Sequence, residues 1–133
     1  MKKIIFLLLI FAQAVFAQKL DIAREFSQLP KEKNIVLIFS MEFCPYCIRQ
    51  ERSIIRNVKT RFKDMGYFKV MKGSSLFEEL IETGNFGEVE YFPTTYILKI
   101  DKDDEIDVKY PFMGYQKAVN IIDILNDKDI MGD

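Results

Sequence analysis

One stretch decides the fold: Asn34-Ile35-Val36-Leu37-Ile38-Phe39-Ser40-Met41-Glu42-Phe43-Cys44-Pro45-Tyr46-Cys47. It opens with a continuous run of aliphatic, β-branched and aromatic residues, which predicts a buried central strand. A long helix is predicted to begin near Cys44 and to run to about Asp64. Pro45 suits the first turn of that helix, where its missing N–H breaks no intrahelical bond. The cysteines are therefore expected where a buried strand passes into a helix.

The predicted helix is amphipathic, because its apolar residues recur at helical spacing. The stripe predicted to be buried consists of Ile48, Ile55, Val58, Phe62 and Met65. The opposite face, interpreted as solvated, consists of Arg49, Glu51, Arg52, Arg56 and Lys59. Gly66 is expected to end the helix.

The flanking segments predict an α/β domain. Residues 18–33 are interpreted as a helix and a loop, because Ile22, Phe26 and Leu29 recur at helical spacing before Pro30. Further strands are predicted at residues 67–71, 95–100 and 106–110. Further helices are predicted between Ser74 and Gly84 and at residues 116–126, the last with Val119, Ile122 and either Leu125 or Ile121 inward. The resulting fold is a mixed central sheet of about four strands, flanked by helices on both faces.

The N-terminus is predicted to be a cleavable signal peptide, residues 1–17. Two lysines are followed by an apolar run at residues 4–11 and then by small residues, with cleavage expected between Ala17 and Gln18. The run is shorter than the roughly 20 apolar residues that span a bilayer. An uncleaved membrane anchor is the alternative. We expect the remaining domain, residues 18–133, in the bacterial periplasm, where disulfides persist.

Composition limits both the size and the partners of the protein. A chain of 133 residues is enough for one domain, and its 49% hydrophobic content can supply a packed core. A formal net charge of -1 gives no electrostatic footprint for nucleic-acid binding. No segment before Asp21 is long enough for a dimerisation domain, so a monomer is expected.

The motif Cys44-Pro45-Tyr46-Cys47 leaves three interpretations open. A structural disulfide is disfavoured, because a bridge across so short a loop constrains the unfolded chain very little. Zinc is disfavoured because the chain has 2 Cys and no His, although a soft copper(I) ion could be held by two thiolates. The third is redox catalysis. A helix N-terminus favours a thiolate at Cys44, and Cys47 can then resolve a mixed disulfide.

The sequence resembles the thioredoxin-fold family, in particular exported bacterial thioredoxin-like proteins. The resemblance rests on the apolar strand leading to Cys44-Pro45-Tyr46-Cys47, on Phe92-Pro93-Thr94 just before a predicted strand, and on Gly114-Tyr115 before the last helix. It covers nearly all of residues 20–126. Glutaredoxins also often carry Pro-Tyr between their cysteines, but they usually have Val where this chain has Phe92.

The resemblance implies roles for individual residues. Cys44 and Cys47 would be catalytic, and Pro45 and Tyr46 would tune them. Phe92, Pro93 and Thr94 would contact substrate, with Pro93 as a cis-proline facing the disulfide and the backbone of Phe92 pairing with an extended substrate segment. The alternative for Pro93 is an ordinary trans proline at a strand entry.

One position departs from the family. Ile38 stands where cytosolic thioredoxins carry a buried Asp, so a water molecule or another residue must accept the proton of Cys47. Glu42 lies close in sequence, but it is interpreted as a solvated loop acid.

The sequence therefore predicts a periplasmic thiol–disulfide oxidoreductase that exchanges its dithiol or disulfide with protein substrates. A reductase is favoured, because no charged residue or His between the cysteines adds thiolate stabilisation. It would need no cofactor and would receive electrons from a membrane partner. The alternatives are a disulfide-forming oxidase and a copper(I) carrier that uses Met41 and Met113 as well.

Overall fold

A computed structural model describes residues 19–132. The strands are β1 (Asp21–Ile22), β2 (Asn34–Ser40), β3 (Gly66–Met71), β4 (Thr94–Ile100) and β5 (Ile106–Met113). The helices are α1 (Pro45–Ser53), α2 (Ser75–Glu82), α3 (Ala118–Leu125) and α4 (Lys128–Met131). A π-helical segment, Ile54–Val58, continues α1 directly. The predicted signal peptide lies outside the described residues.

The strands form one mixed sheet in the order β1-β3-β2-β4-β5. β2 pairs in parallel with β3 and antiparallel with β4, so it lies at the centre of the sheet, as its apolar run predicts. The C-terminal end of β2 leads straight to Cys44. The start of α1 therefore lies at the C-terminal end of the central strand.

Two hydrophobic cores lie on opposite faces of the sheet, because alternate residues of β2 point to opposite sides. Leu37 and Phe39 pack with α2 in one core, where Phe39 meets the rings of Phe77 and Tyr96 at 5.3 Å between centroids. Ile38 packs in the other core, which contains Ile54 and Val58 of the π-helical segment and the buried residues of α3. None of the helices described in residues 19–132 is long and apolar enough to cross a membrane.

The prediction of a helix in residues 18–33 is wrong. Asp21 and Ile22 form the edge strand β1, which pairs with β3, and only a short 3-10 turn, Phe26–Gln28, follows. The sheet therefore has five strands, where about four are predicted. Ile22 is 40% exposed, so the helical spacing that includes it marks no buried stripe.

The helix after Cys44 is shorter than predicted and is turned relative to its predicted face. Its helical conformation ends at Val58, and Gly66 begins β3, where a Cβ atom would come within 3.1 Å of Pro30. Ile48 is 51% exposed, whereas Glu51 is buried. The inward residues are Cys47, Gln50, Glu51, Ile54 and Val58.

The other predicted helices are present with altered details. The Ser74 hydroxyl accepts a hydrogen bond from the Phe77 N–H at 3.2 Å, which caps α2 as expected. In α3, Ile121, Ile122 and Leu125 are buried. Val119 is 55% exposed, so its predicted inward orientation is wrong.

Candidate active site

Cys44 occupies the N-cap position of α1. Its backbone is extended, at φ -114° and ψ 100°, and its Sγ accepts a hydrogen bond from the Cys47 N–H at 3.2 Å. The first N–H groups of a helix have no intrahelical acceptor, so a sulfur at this position receives a donor that a thiolate would bind more strongly. The helix start therefore stabilises negative charge on Cys44.

Cys44 and Cys47 are joined in a disulfide, with their Cα atoms 5.2 Å apart. Cys44 is partly exposed, whereas Cys47 is only 3% exposed. A large substrate can therefore reach the sulfur of Cys44 but not that of Cys47. This asymmetry assigns different chemical tasks to the two sulfurs.

The Phe92-Pro93-Thr94 segment lies against the disulfide. The Phe92 carbonyl oxygen is 3.8 Å from the Cys44 Sγ, and the Phe92–Pro93 peptide bond is cis. Pro93 is buried, and Thr94 begins β4 with its hydroxyl donating to the Tyr91 carbonyl. The structure thus brings residues far apart in sequence to one site.

An exposed apolar rim surrounds the disulfide. Phe43 is 98% exposed and has a left-handed φ of 56°, which is unusual for a residue with a Cβ atom. Tyr46, Tyr91 and Met113 are also largely exposed. The Tyr46 ring lies 6.2 Å from that of Tyr115, measured between centroids. Exposed apolar groups clustered at one place indicate a contact surface for another molecule.

Gln50 is a residue of the site that the sequence did not reveal. It is 0% exposed, and its amide pairs with the backbone of Gln116 in both directions: Nε2 donates to the carbonyl at 3.0 Å, and Oε1 accepts from the N–H at 2.7 Å. Gln50 thereby fastens the loop that carries Tyr115 to α1.

Glu51 is the second residue that was missed. Its carboxylate accepts hydrogen bonds from the Lys69 Nζ at 3.0 Å and from the Leu20 N–H at 2.6 Å. In the described part of the chain it is the only buried carboxylate, and it lies one helical turn beyond Cys47. A spacing of four residues puts Glu51 on the same helical face as Cys47. The prediction from sequence instead assigned Glu51 to the solvated face.

Ile38 stands where cytosolic thioredoxins carry a buried Asp, and the structure shows which residues surround it. Ile38 is 1% exposed and pairs across the sheet with Lys69 on one side and Thr95 on the other. β2 therefore supplies no carboxylate at this position. The neighbouring Lys69 instead forms an ion pair with the carboxylate of Glu51. Glu42 is exposed, in agreement with its interpretation as a loop acid.

Comparison with solved structures decides the fold. A solution structure of a thioredoxin-like protein from Clostridium perfringens superposes with a TM-score of 0.63 at 18% identity, covering 85% of this chain and 84% of that one. This chain has a thioredoxin-like fold. Thioredoxin f2 of Chlamydomonas reinhardtii gives 0.61 at 14% identity over 81% of this chain and 94% of that one. Trichomonas vaginalis thioredoxin gives 0.59 at 18% identity over 84% and 95%.

The thioredoxin-like fold is established here by structure alone. No protein-family model and no curated protein sequence matches this chain. Within residues 19–132, no group of three or more His, Cys, Asp or Glu side chains is placed to hold a metal ion. Met41 and Met113 are both exposed.

Proposed function

We propose that this protein is a thiol–disulfide oxidoreductase that reduces disulfides in protein substrates. The observation that carries the proposal is the asymmetric disulfide at the start of α1, with Cys44 accessible and Cys47 buried. The thioredoxin-like fold and the apolar rim support a protein as the substrate. Periplasmic location and a membrane electron donor belong to the same proposal, and they rest on the N-terminal sequence pattern.

In the reduced protein, the Cys44 thiolate attacks one sulfur of the client disulfide. An S–S bond forms between Cys44 and the client, the client disulfide breaks, and the second client sulfur leaves as a thiolate. The Cys47 N–H and the helix N-terminus stabilise the thiolate before attack. The Phe92 backbone, 3.8 Å from Cys44 Sγ, lies where an extended client segment would pair.

The buried Cys47 completes the exchange. After losing its proton, it attacks the Cys44 sulfur, so that the Cys44–Cys47 disulfide forms and the first client sulfur leaves. Two electrons have then passed from the protein to the client, and a donor of two electrons must restore the dithiol. Because Cys47 is enclosed, it meets only a sulfur already attached to Cys44.

The Cys47 proton needs an acceptor beneath the site. We assign this task to Glu51, the buried carboxylate one turn along α1, acting directly or through water. Lys69 keeps the carboxylate in place. On this proposal Glu51→Gln slows resolution of the mixed disulfide more than its formation.

Reduction of insulin by the protein in the presence of dithiothreitol tests the function. We expect turnover by the wild type and background rates for Cys44→Ser. Cys47→Ser should instead accumulate mixed disulfides with clients, because attack remains and resolution is lost. Met41→Leu serves as a control, because it leaves Cys44 and Cys47 in place. Stoichiometric copper(I) after anaerobic purification, without insulin reduction, would overturn the enzyme in favour of a copper carrier.

The direction of exchange is tested by the reduction potential against glutathione. A reductase is expected near the thioredoxin end of the range, about -270 mV, whereas an oxidase lies near about -120 mV. A value at the oxidising end would leave the exchange chemistry in place and reverse the proposed direction.

A further inference from the structure

A basic groove runs along the outward face of α1 and of the π-helical segment that continues it, beginning beside the disulfide. Its volume is about 670 Å³, and its walls include Pro45 and Tyr115 near the active site and Arg49, Arg52 and Arg56 along the helix. The three arginines lie three and four residues apart, which puts them on one helical face. The groove and the catalytic sulfur are thus parts of one continuous surface.

The groove has no negative charge of its own. Its lining contains no Asp or Glu. The ion pairs within residues 19–132 are Lys31–Asp104, Lys69–Glu51 and Lys109–Asp107, so none of them uses an arginine of the groove. Like charges one turn apart on a helix repel each other, so an anionic partner would relieve an unfavourable arrangement.

The groove also has the apolar contacts that a peptide needs. Ile48 in its lining is half exposed, and the Arg49 guanidinium lies over the Tyr46 ring at 5.5 Å. Stacking of this kind keeps a guanidinium group fixed while its N–H donors remain free to bind carboxylates in pairs. The chemistry of the groove therefore fits acidic side chains on a polypeptide.

We propose that this groove binds an acidic segment of the client polypeptide, on one side of the client cysteine that reacts with Cys44. The inference rests on the proposed function and names its substrate class. From Pro45 to Arg56 the helix rises roughly 17 Å, at about 1.5 Å per residue. An extended peptide covers that distance in about five residues. The acidic residues should therefore lie within about five residues of the client cysteine.

The flank of the site opposite the groove bears on the orientation of the bound client. The loop that leads to Pro93 carries Glu88 and Glu90, both exposed. These two carboxylates disfavour an acidic client segment on that side, where Lys72, with its Nζ 5.4 Å from the Phe92 ring centroid, adds one positive charge. The three arginines of the groove therefore set the preferred orientation of the client as well as its composition.

Three disulfide peptides test the proposal with the full protein. Each carries one cysteine joined to a small chromogenic thiol, and they differ only in a flank of four Glu, Gln or Lys residues. We expect kcat/KM to be about tenfold higher for the Glu peptide than for the Gln peptide at low ionic strength, and to be lowest for the Lys peptide. Added salt should reduce the difference.

The decisive variant is Arg49→Gln/Arg52→Gln/Arg56→Gln. Its matched control, Lys33→Gln/Lys63→Gln/Lys102→Gln, removes the same charge at exposed positions around the opposite end of the sheet. The ratio of the Glu-peptide rate to the Gln-peptide rate should fall to about one in the arginine variant and stay at its wild-type value in the control. An unchanged ratio in the arginine variant, or no preference in the wild type, overturns the proposal.

Calorimetry with a Glu-rich peptide that lacks cysteine separates this proposal from the oxidoreductase function. Binding to the wild type that is lost in the arginine variant supports the groove even if no peptide is reduced. Reduction of the Gln peptide, with neither acidic-peptide binding nor Glu preference, overturns the groove and leaves the oxidoreductase function standing.

Discussion

The two faces of α1 and of the π-helical segment that continues it use polar side chains in opposite ways. On the inner face, Gln50 and Glu51 are buried, and each has hydrogen-bond partners from distant parts of the chain. On the outer face, Arg52 and Arg56 have no ion-pair partner within residues 19–132, while the apolar Ile48 is half exposed. The availability of partners, more than the polarity of the side chain, therefore decides which residues this helix buries.

The largest expected effect comes from removing a partner on the inner face. Glu51→Ala would leave the Lys69 ammonium group in a largely enclosed position and the Leu20 N–H without its acceptor. We expect the free energy of unfolding to fall by about 3–5 kcal/mol. Urea denaturation measures the loss.

Two further variants sharpen this test. Arg52→Ala, on the outer face, should change the free energy of unfolding by no more than about 0.5 kcal/mol. Glu51→Met combined with Lys69→Met should recover most of the stability lost in Glu51→Ala, because no charge then remains buried. Equal losses in Glu51→Ala and Arg52→Ala would show that the inner pair contributes no more than a surface charge.

The second prediction compares two isoleucines of the same helical run. Ile54 is 0% exposed and lies in the core beneath α1, whereas Ile48 is half exposed. Ile54→Ala should cost about 2–4 kcal/mol, because it leaves a cavity, and Ile48→Ala should cost less than about 0.5 kcal/mol. Thermal unfolding of the pair measures both, and a larger loss for Ile48→Ala would reverse the assignment of the faces.

These isoleucines also show where sequence-based prediction ends. The apolar run of β2 and the cysteine motif are local signals, and they predicted the central strand and the start of α1. The buried face of α1 depends on contacts that no local pattern contains: Gln50 pairs with a residue 66 positions away, and Glu51 with Leu20, 31 positions away. Apolar periodicity therefore placed Ile48 on the buried face and Glu51 on the solvated face, and both placements are wrong.

The prediction of a helix in residues 18–33 is wrong for a related reason. Asp21 and Ile22 form a strand because β3 offers them a free edge, and that edge exists only in the folded sheet. The thioredoxin-like fold was predictable because the apolar strand before the cysteine motif and the Phe92-Pro93-Thr94 segment carry the family resemblance, whereas the strand order comes from the structure. The proximity of Phe92 to Cys44 came only from the resemblance, since 48 residues separate the two.

The third prediction concerns Gln50. Gln50→Leu nearly preserves volume but leaves the Gln116 N–H and carbonyl without their partners, so we expect a loss of about 2 kcal/mol. Amide hydrogen exchange at Gln116 should accelerate. Gln116→Ala is the matched control, because it keeps both backbone bonds to Gln50 and should have little effect. Unchanged exchange in Gln50→Leu would mean that the loop is held by other contacts.

The smallest expected effect lies in the core beneath the inner face, at Tyr67 of β3. Its hydroxyl donates to the Phe62 carbonyl, and burial raises its pKa from 10.0 to about 12. Tyr67→Phe should cost about 1 kcal/mol at neutral pH. Because the pKa is higher in the folded state than in the unfolded state, the contribution of Tyr67 is complete below pH 10 and is lost as pH rises towards 12. The stability difference between the wild type and Tyr67→Phe, measured by urea denaturation across this range, should therefore shrink with rising pH. A difference that stays constant or grows would show that burial does not raise the pKa of the Tyr67 hydroxyl in the folded protein.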